Sequence, residues 1–578
     1  MPTEMSLSRM DDDAYRRALA AAEPGWSRPL GELVRRLTDA GQLKAVSSPP
    51  GIADPHAIPV AGIAYDSRLV VRGGCFVAVP GAHTDGHRYL AAAVAAGATV
   101  LVVETAVPPE VAAPAVQLVV GRCQFALATA ATWWYGDPSD NLGIIGITGT
   151  DGKTTTAGMA AAALSAAGLG AGLISTAAQQ VGALRVGAVG HVTTPEALEI
   201  ARALRAMWLA GDSAAVLETT SHGIALQRVA GIRYDVAVFT NLTHEHLDFH
   251  GTLEAYRDVK ARLFRGLGPP GTELKPKRPP GNGFWPRAGI VNADDTSAPV
   301  IADATREAGA RLVLYGTTPG ADVRATAITE TPSGLTASVE TPRGKRELRL
   351  PLLGGFNVHN ALAVVALGEV LDLDPDAVLA GLAGFPGVAG RMERVSCGQP
   401  YTVVVDYAHT PAALAAVLDS LRSFVGPGGG LIAVFGSAGE RDVGKRALQG
   451  HVAGERCRLV VATDEDPRRE DPVAIIDQIA AGAEAAGRRR GEDLLLIPDR
   501  RDAIAAALDN ARPTDVVLLA GKGHETSILY ADQAVAWDER AVVEALLAER
   551  GFGPSLPSAF DSRTGPPPPT GNRPRRSA

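Results

Sequence analysis

The chain has 578 residues, 46% of them hydrophobic and 20% charged, with a formal net charge of -8. That length exceeds a single core and implies three domains of ~150 residues plus extensions. The mild acidity excludes a broad basic footprint for nucleic acid, and four scattered cysteines (Cys75, Cys123, Cys397, Cys457) without CxxC spacing exclude a zinc cluster or disulfide framework.

Residues 1–26 start polar and acidic (MPTEMSLSRMDDD), unlike a secretory signal. They are expected as a loosely attached extension of a cytoplasmic protein. From 27 to 140, short strands (Cys75–Val79, Val100–Val103) mix with a helical stretch, Tyr89–Ala96. Apolar runs such as Ala91–Val103 are alanine-rich and broken by glycine, which argues against a membrane span.

The block from 141 to 388 opens with the strand LGIIGITGT, which ends in glycines and runs into a helix over Thr154–Ala167. Strands at Ala214–Glu218 and Asp235–Asn241 follow, then a helix over Leu253–Phe264. Such alternation predicts a parallel sheet. A Pro/Gly/Lys-rich insertion, Gly266–Arg287, reads as a surface loop without assigned function. The block from 389 to 550 alternates again, with strands Thr402–Asp406, LIAVFG, LVVAT, LLLI and VVLLA between helices such as Pro411–Phe424 and Pro472–Ala486. This is a second open α/β sheet, and its ligands are expected at the strand C-terminal ends. A cleft between the two sheets is the expected place for chemistry. The tail, 551–578, carries PPPP and PRRSA and is expected to be disordered.

The strongest local signal is Gly149-Thr150-Asp151-Gly152-Lys153-Thr154-Thr155 behind a hydrophobic strand. Glycines let backbone N–H groups converge on phosphate oxygens at a helix N-terminus. Lys153 would reach the β/γ oxygens and the Thr154 hydroxyl would ligate Mg²⁺. Ile147 stands where the usual motif has its first glycine, and Asp151 places a carboxylate beside an anion site. Glu218, ending its strand, is placed to hold Mg²⁺. The segment FTNLTHEHLDFHG, with His244, His246 and His250, favours a magnesium/phosphate site over zinc because no cysteine is near.

The segments GTDGKTTT, ETTSH, FTNLTHEHLDFHGTLEAYRDVKARLF, GGFNVHNALA, GRMERV, VVDYAHTP and GKGHE resemble, in order, the Mur ligases of peptidoglycan synthesis. The nearest branch is the one that adds the third residue of the stem peptide. The resemblance implies a three-domain α/β architecture: a UDP-binding N-terminal domain, a central P-loop parallel-sheet ATPase domain and a Rossmann-like C-terminal domain. It implies that ATP phosphorylates the D-glutamate carboxylate of UDP-N-acetylmuramoyl-L-alanyl-D-glutamate and that an amine then displaces phosphate. Thr154, Glu218 and His246 take the places around Mg²⁺. Lys260 matches a lysine carbamylated by CO₂, whose −1 charge would hold a second Mg²⁺; an ordinary exposed lysine is the alternative.

By the same resemblance Tyr65, Ser67, Ala82, His83 and Thr84 take the uracil and diphosphate positions, and Thr193, Thr194, Thr220 and Arg228 those of the muramoyl dipeptide. Asn357, Asn360, Arg391 and Asp406 take adenine and ribose positions, although the asparagine pair equally suits a structural turn and cap. Arg441, Glu465, Asp466, Pro467, Arg468, Gly521 and Glu525 take the amino-acid positions. Enzymes using meso-diaminopimelate usually carry Asp-Asn-Pro-Arg, and this chain has Glu-Asp-Pro-Arg. Arg468 suits a distal carboxylate; the added charge of Asp466 suits L-lysine or L-ornithine. Meso-diaminopimelate is placed slightly ahead. The expected partners are the UDP-muramoyl dipeptide and a free diamino acid, with no nucleic acid or membrane, and the protein is expected to be a monomer. A folylpolyglutamate- or cyanophycin-type ligase, or a P-loop switch, are the competing classes.

Overall fold

The computed structural model describes residues 4–553 apart from 82–83, 188–192, 244, 246, 269–273, 277–282 and 332–333. Ala82, His83, His244, His246, much of the 266–287 insertion and the tail from 554 onward therefore lie outside the described residues. The chain divides into two compact units, Met1–Val388 and Ala389–Ala578.

The first unit holds a five-stranded sheet, built from segments between Leu43 and Val120, and an 11-stranded sheet. At the centre of the larger sheet Gly143–Thr148 (β1) lies parallel between Ala214–Glu218 (β2) and Val236–Phe239 (β3). All three are buried along their whole length. Their unbroken apolar runs are what a parallel sheet covered by helices on both faces requires. The covering helices include Lys153–Ala166 (after β1), Leu253–Arg265 and the almost wholly buried Phe356–Leu371. Antiparallel strands extend the sheet at both edges, Ala178–Gly187 on one side and Val323–Leu350 on the other.

Two sequence expectations need correction. Residues 4–21 are a helix, α1 (Glu4–Ala21), and not a loose extension. Tyr15 is 2% exposed and its hydroxyl donates to Gln179 Oε1 at 2.5 Å. Ala22 is fully buried, and Glu23 accepts from the Tyr135 hydroxyl at 3.0 Å. The alternation Tyr15, Ala18, Leu19, Ala22 forms one apolar stripe, which packs on the core beneath the larger sheet. The insertion is likewise more than a surface loop. Lys275 is buried, paired with Asp235 at 2.5 Å, and donates to the carbonyls of Ser139, Leu142 and Arg233 at 2.7, 3.0 and 2.9 Å. Trp285, 1% exposed, belongs to the central core.

The second unit is built on a six-stranded sheet. Thr402–Asp406 (β4), Leu431–Phe435 (β5), Leu459–Ala462 (β6) and Val516–Ala520 (β7) are mutually parallel in the spatial order β4-β7-β5-β6. A short antiparallel strand, Glu393–Val395, closes the β4 edge. Among the helices around it are Arg500–Asp509 (α2) and Glu539–Glu549 (α3), both started by an aspartate that accepts a backbone N–H of the first turn. The motifs at 406–411, 441, 465–468 and 521–525 lie on loops leaving the C-terminal ends of β4, β5, β6 and β7, whereas Arg391 lies just before the strand Glu393–Val395. Among the described residues no helix is long and apolar enough to cross a membrane.

Candidate functional site

In the first unit the glycine turn follows β1 and opens the helix Lys153–Ala166. Gly152 caps that helix at φ 79°, a left-handed conformation in which a side chain would be strained. A Cβ there would also fall 2.4 Å from Asn360 Oδ1, and one at Gly149 would fall 1.9 Å from Thr240 Oγ1. The turn is stitched to the loop after β3. Thr150 N–H donates to the Asn241 carbonyl at 2.8 Å, Asp151 N–H to Asn241 Oδ1 at 2.8 Å, and Thr240 Oγ1 to the Asp151 carbonyl at 2.6 Å. This resolves the placing of Asp151. Its backbone is the anchored part, and its side chain is exposed.

Lys153 Nζ donates to the Thr150 carbonyl at 2.6 Å, so the cation folds back over the turn. Thr154 and Glu218 meet as expected, with the hydroxyl 3.0 and 3.1 Å from the two carboxylate oxygens. Glu218 is 2% exposed and its Oε2 also accepts from the Thr176 N–H and hydroxyl at 2.8 and 2.9 Å. A hydroxyl and a carboxylate held together at the strand ends are hard oxygen donors suited to Mg²⁺, which takes few protein ligands.

Lys260 is 1% exposed, and its Nζ donates to the Gly149 carbonyl at 2.7 Å with the ring of Tyr256 4.3 Å away. Burial, with Lys153 nearby, pushes its ammonium well below the usual lysine range. The alternative of an ordinary exposed lysine does not hold. Tyr256, one turn earlier, places its hydroxyl 3.3 Å from Thr150 Oγ1.

Beside Glu218 the structure brings Thr194, Thr220 and Arg228 together. The two threonine hydroxyls are 2.9 Å apart, Thr194 also donates to the Glu218 carbonyl, and Arg228 donates to the Thr194 carbonyl at 2.9 Å. Arg228 is paired with Glu196 at 2.6 Å. Thr193 adjoins this group in the chain. Tyr65 reaches towards it from the smaller sheet, its hydroxyl 2.8 Å from Glu199 Oε1. Thr84 is exposed; its hydroxyl lies 3.2 Å from the Tyr89 hydroxyl and its carbonyl accepts the Gly81 N–H at 2.9 Å. Asn357 and Asn360 are buried and bonded to one another at 2.9 Å, while Asn360 Oδ1 accepts from Thr156 at 3.2 Å. They buttress the phosphate turn from behind.

In the second unit Asp406 ends β4 and accepts from the N–H groups of Met392 and Ala408 at 2.7 and 2.8 Å. The guanidinium of Arg391 lies 4.6 Å over the Tyr407 ring. Glu465 is buried, its carboxyl pushed up by desolvation, and its Oε2 has no partner among the described residues. Asp466 accepts from Lys522 Nζ and the Leu529 N–H, both at 2.9 Å. Lys522 also pairs with Glu525 at 2.6 Å. Arg468 has φ 54°, a conformation rare outside glycine, and its N–H donates to the Leu529 carbonyl at 2.9 Å. Pro467 and Gly521 are buried beside these groups, whereas Arg441 is exposed. Sequence reasoning passed over Lys522, although it stands inside the GKGHE motif, and Thr176, Thr240 and Asn241, whose roles exist only through long-range contacts.

Three family models match in chain order: the Mur ligase family catalytic domain over residues 59–135, the Mur ligase middle domain over 147–368 and the Mur ligase glutamate ligase domain over 390–523. The UDP-N-acetylmuramyl-tripeptide synthetase of Roseiflexus sp. (strain RS-1) is 47% identical over 507 residues, covering 87% of this chain and 97% of that protein. The UDP-N-acetylmuramoyl-L-alanyl-D-glutamate–2,6-diaminopimelate ligase of Solibacter usitatus (strain Ellin6076) is 39% identical over 517 residues, 88% of this chain and 98% of that protein. A solved structure of a ligase of the latter name superposes with a TM-score of 0.62 at 28% identity, covering 91% of this chain and 99% of that one.

Proposed function

The chain belongs to the Mur ligase family, and we propose that it joins meso-diaminopimelate to the D-glutamate carboxylate of UDP-N-acetylmuramoyl-L-alanyl-D-glutamate, with ATP cleaved to ADP and phosphate. It is an ATP-dependent ligase of peptidoglycan-precursor synthesis. The observation that carries the reading is the Thr154–Glu218 contact at the mouth of the glycine turn, with buried Lys260 on the turn's other side.

A carboxylate attacking a terminal phosphate brings two anions together, and stabilising charge must be in place before they meet. Gly149, Thr150, Asp151, Gly152 and Thr155 supply turn and backbone, and Lys153 supplies a cation. Thr154, Glu218 and His246 would hold Mg²⁺, and a carbamate on Lys260 would hold a second; these ions neutralise phosphate charge when bound. The depressed basicity of Lys260 supports the carbamate, since only a neutral amine adds CO₂. Thr193, Thr194, Thr220 and Arg228 orient the dipeptide, and Tyr65, Ser67, Ala82, His83 and Thr84 the UDP end. Asn357, Asn360, Arg391 and Asp406 serve the nucleoside. The incoming α-amine, with an ordinary pKa near ~8, has a usable neutral fraction at pH 7. Its nitrogen bonds to the acyl carbon, the C–O bond to phosphate breaks, and the amine proton passes to solvent.

Arg441, Glu465, Asp466, Pro467, Arg468, Gly521 and Glu525 receive the amino acid. Diaminopimelate is favoured because Asp466 is held inward by Lys522 and the Leu529 N–H, leaving Arg468 for a distal carboxylate. Residues 27–140, 141–388 and 389–550 thus divide UDP, ATP and amino-acid binding, in a monomer working in the cytoplasm.

The test is incubation with ATP, UDP-muramoyl dipeptide and diaminopimelate, lysine or ornithine, with product mass and ADP measured together. One ADP per new amide with diaminopimelate is expected. ADP release without a new amide, or amide formation with lysine alone, overturns the reading at its first or last step respectively.

A further inference from the structure

Arg500 lies beneath the loops assigned to the amino acid, and no step above uses it. It is the first residue of α2 and is 1% exposed. All three of its guanidinium nitrogens donate. Nε donates to the Glu539 oxygens at 3.2 and 3.0 Å, and Nη2 to Glu539 Oε1 at 2.6 Å. The remaining bonds run to main-chain carbonyls, from Nη1 to Asp464 at 3.0 Å and from Nη2 to Ala520 at 2.8 Å.

Those two carbonyls belong to the chain leaving β6 and β7. Asp464 immediately precedes Glu465-Asp466-Pro467-Arg468, and Ala520 ends β7 just before Gly521. The strands are not neighbours, because β5 lies between them and their axes are ~10 Å apart. The sheet's own ladders do not join the two loops, which meet above it through the Lys522–Asp466 pair and through the backbone bonds of Arg468 to the chain after the second loop. A planar fork with donors on separate nitrogens holds both carbonyls and Glu539 in one fixed geometry, which the single nitrogen of an ammonium on a flexible stem does not reproduce. Glu539 is itself buried and accepts a further hydrogen bond from Trp537 Nε1 at 2.5 Å, so the cation keeps a fixed counter-ion while it bridges. An apolar pair would pack the same space without desolvating two ions. What the arginine adds is a second tie, at the base of both loops, below the Lys522–Asp466 pair.

We propose that Arg500 is a positioning residue for the amino-acid subsite, holding the 465–468 and 521–525 loops in one register for the amine-addition half of the reaction. The inference rests on the reading that these loops bind the amino acid. Arg500→Lys keeps a cation for Glu539 but removes the fork, and the double variant Arg500→Met/Glu539→Leu removes both charges together. For each, the diaminopimelate KM is expected to rise by about 10- to 100-fold. Formation of hydroxamate, with hydroxylamine replacing the amino acid as nucleophile, reads the acyl phosphate alone and is expected to stay within about three-fold of the parent. A diaminopimelate KM within about two-fold in either folded variant overturns the proposal, as does a parallel fall in hydroxamate. Absence of hydroxamate from the parent enzyme sinks the ligase reading itself, a result separable from the other two.

Discussion

Lys522 Nζ stands 2.9 Å from Asp466 Oδ1, and the lysine side chain is wholly buried. A carboxylate that looks in sequence like a charge offered to substrate is therefore an internal counter-ion, and it also accepts the Leu529 N–H. Asp466→Asn keeps an Oδ1 for both donors. The ratio of diaminopimelate to lysine turnover is expected to shift by less than about ten-fold, because one buried charge-assisted bond is exchanged for a neutral one. Arg468→Ala is expected to raise the diaminopimelate KM by about 10- to 100-fold. Competition assays with both amino acids check this; a strong swing in preference in the asparagine variant would show that Asp466 faces the ligand.

Lys260→Ala is expected to lower turnover by about a thousand-fold, the scale of removing a group that stabilises developing charge. Short carboxylates such as acetate or formate should restore part of the rate by standing in for the lost carbamate. Folding is expected to survive, since the alanine variant gives up the hydrogen bond to the Gly149 carbonyl and leaves no buried charge without its partner. Steady-state rates with and without added carboxylate decide it, and full activity in the alanine variant removes the carbamate.

The parallel strands, the glycine turn and Glu218 were legible because each is local: an apolar run, a glycine cluster, a carboxylate at a strand end. The family resemblance then carried the site residues as a set. The antiparallel edge strands over 323–350 were missed despite alternating sequences and Gly-containing turns, because short alternation at a sheet edge carries weak information without its partner. The docking of α1 through Tyr15 and the burial of Lys275 were illegible for another reason. Tyr15 meets Gln179, 164 residues away, and Lys275 meets the Ser139 carbonyl, 136 residues away. A polar extension and a Pro/Gly-rich insertion carry no local sign of such partners.

His524, beside Glu525, gives a pH prediction. Burial, reinforced by Arg391 and Lys522, lowers its pKa from 6.5 to about 4. The unfolded chain therefore takes up this proton before the folded one does. Stability from this group is constant above pH 6.5, falls as pH drops from 6.5 to about 4, and levels off below that. The loss is at most ~1.4 kcal/mol per pH unit. His524→Gln removes the group, so the variant should gain on the parent through that window. Urea midpoints of both proteins at several pH values test it; parallel curves would place the imidazole in contact with water.

The buried pair Lys275–Asp235 ties the insertion to the chain that leads into β3. Desolvation pushes the Asp235 carboxyl up and the Lys275 ammonium down, so each needs the other to remain charged. Lys275→Met leaves Asp235 buried beside the Ile144 N–H without its cation, and strips the carbonyls of Ser139, Leu142 and Arg233 of a donor. Breaking one side of a buried pair commonly costs ~3–5 kcal/mol. Adding Asp235→Asn should recover part of that loss, because the uncompensated charge is gone while the Ile144 N–H keeps an acceptor. Thermal unfolding of the single and double variants measures both effects. A Lys275→Met protein as stable as the parent would mean that the insertion rests on the surface after all, as its composition first suggests.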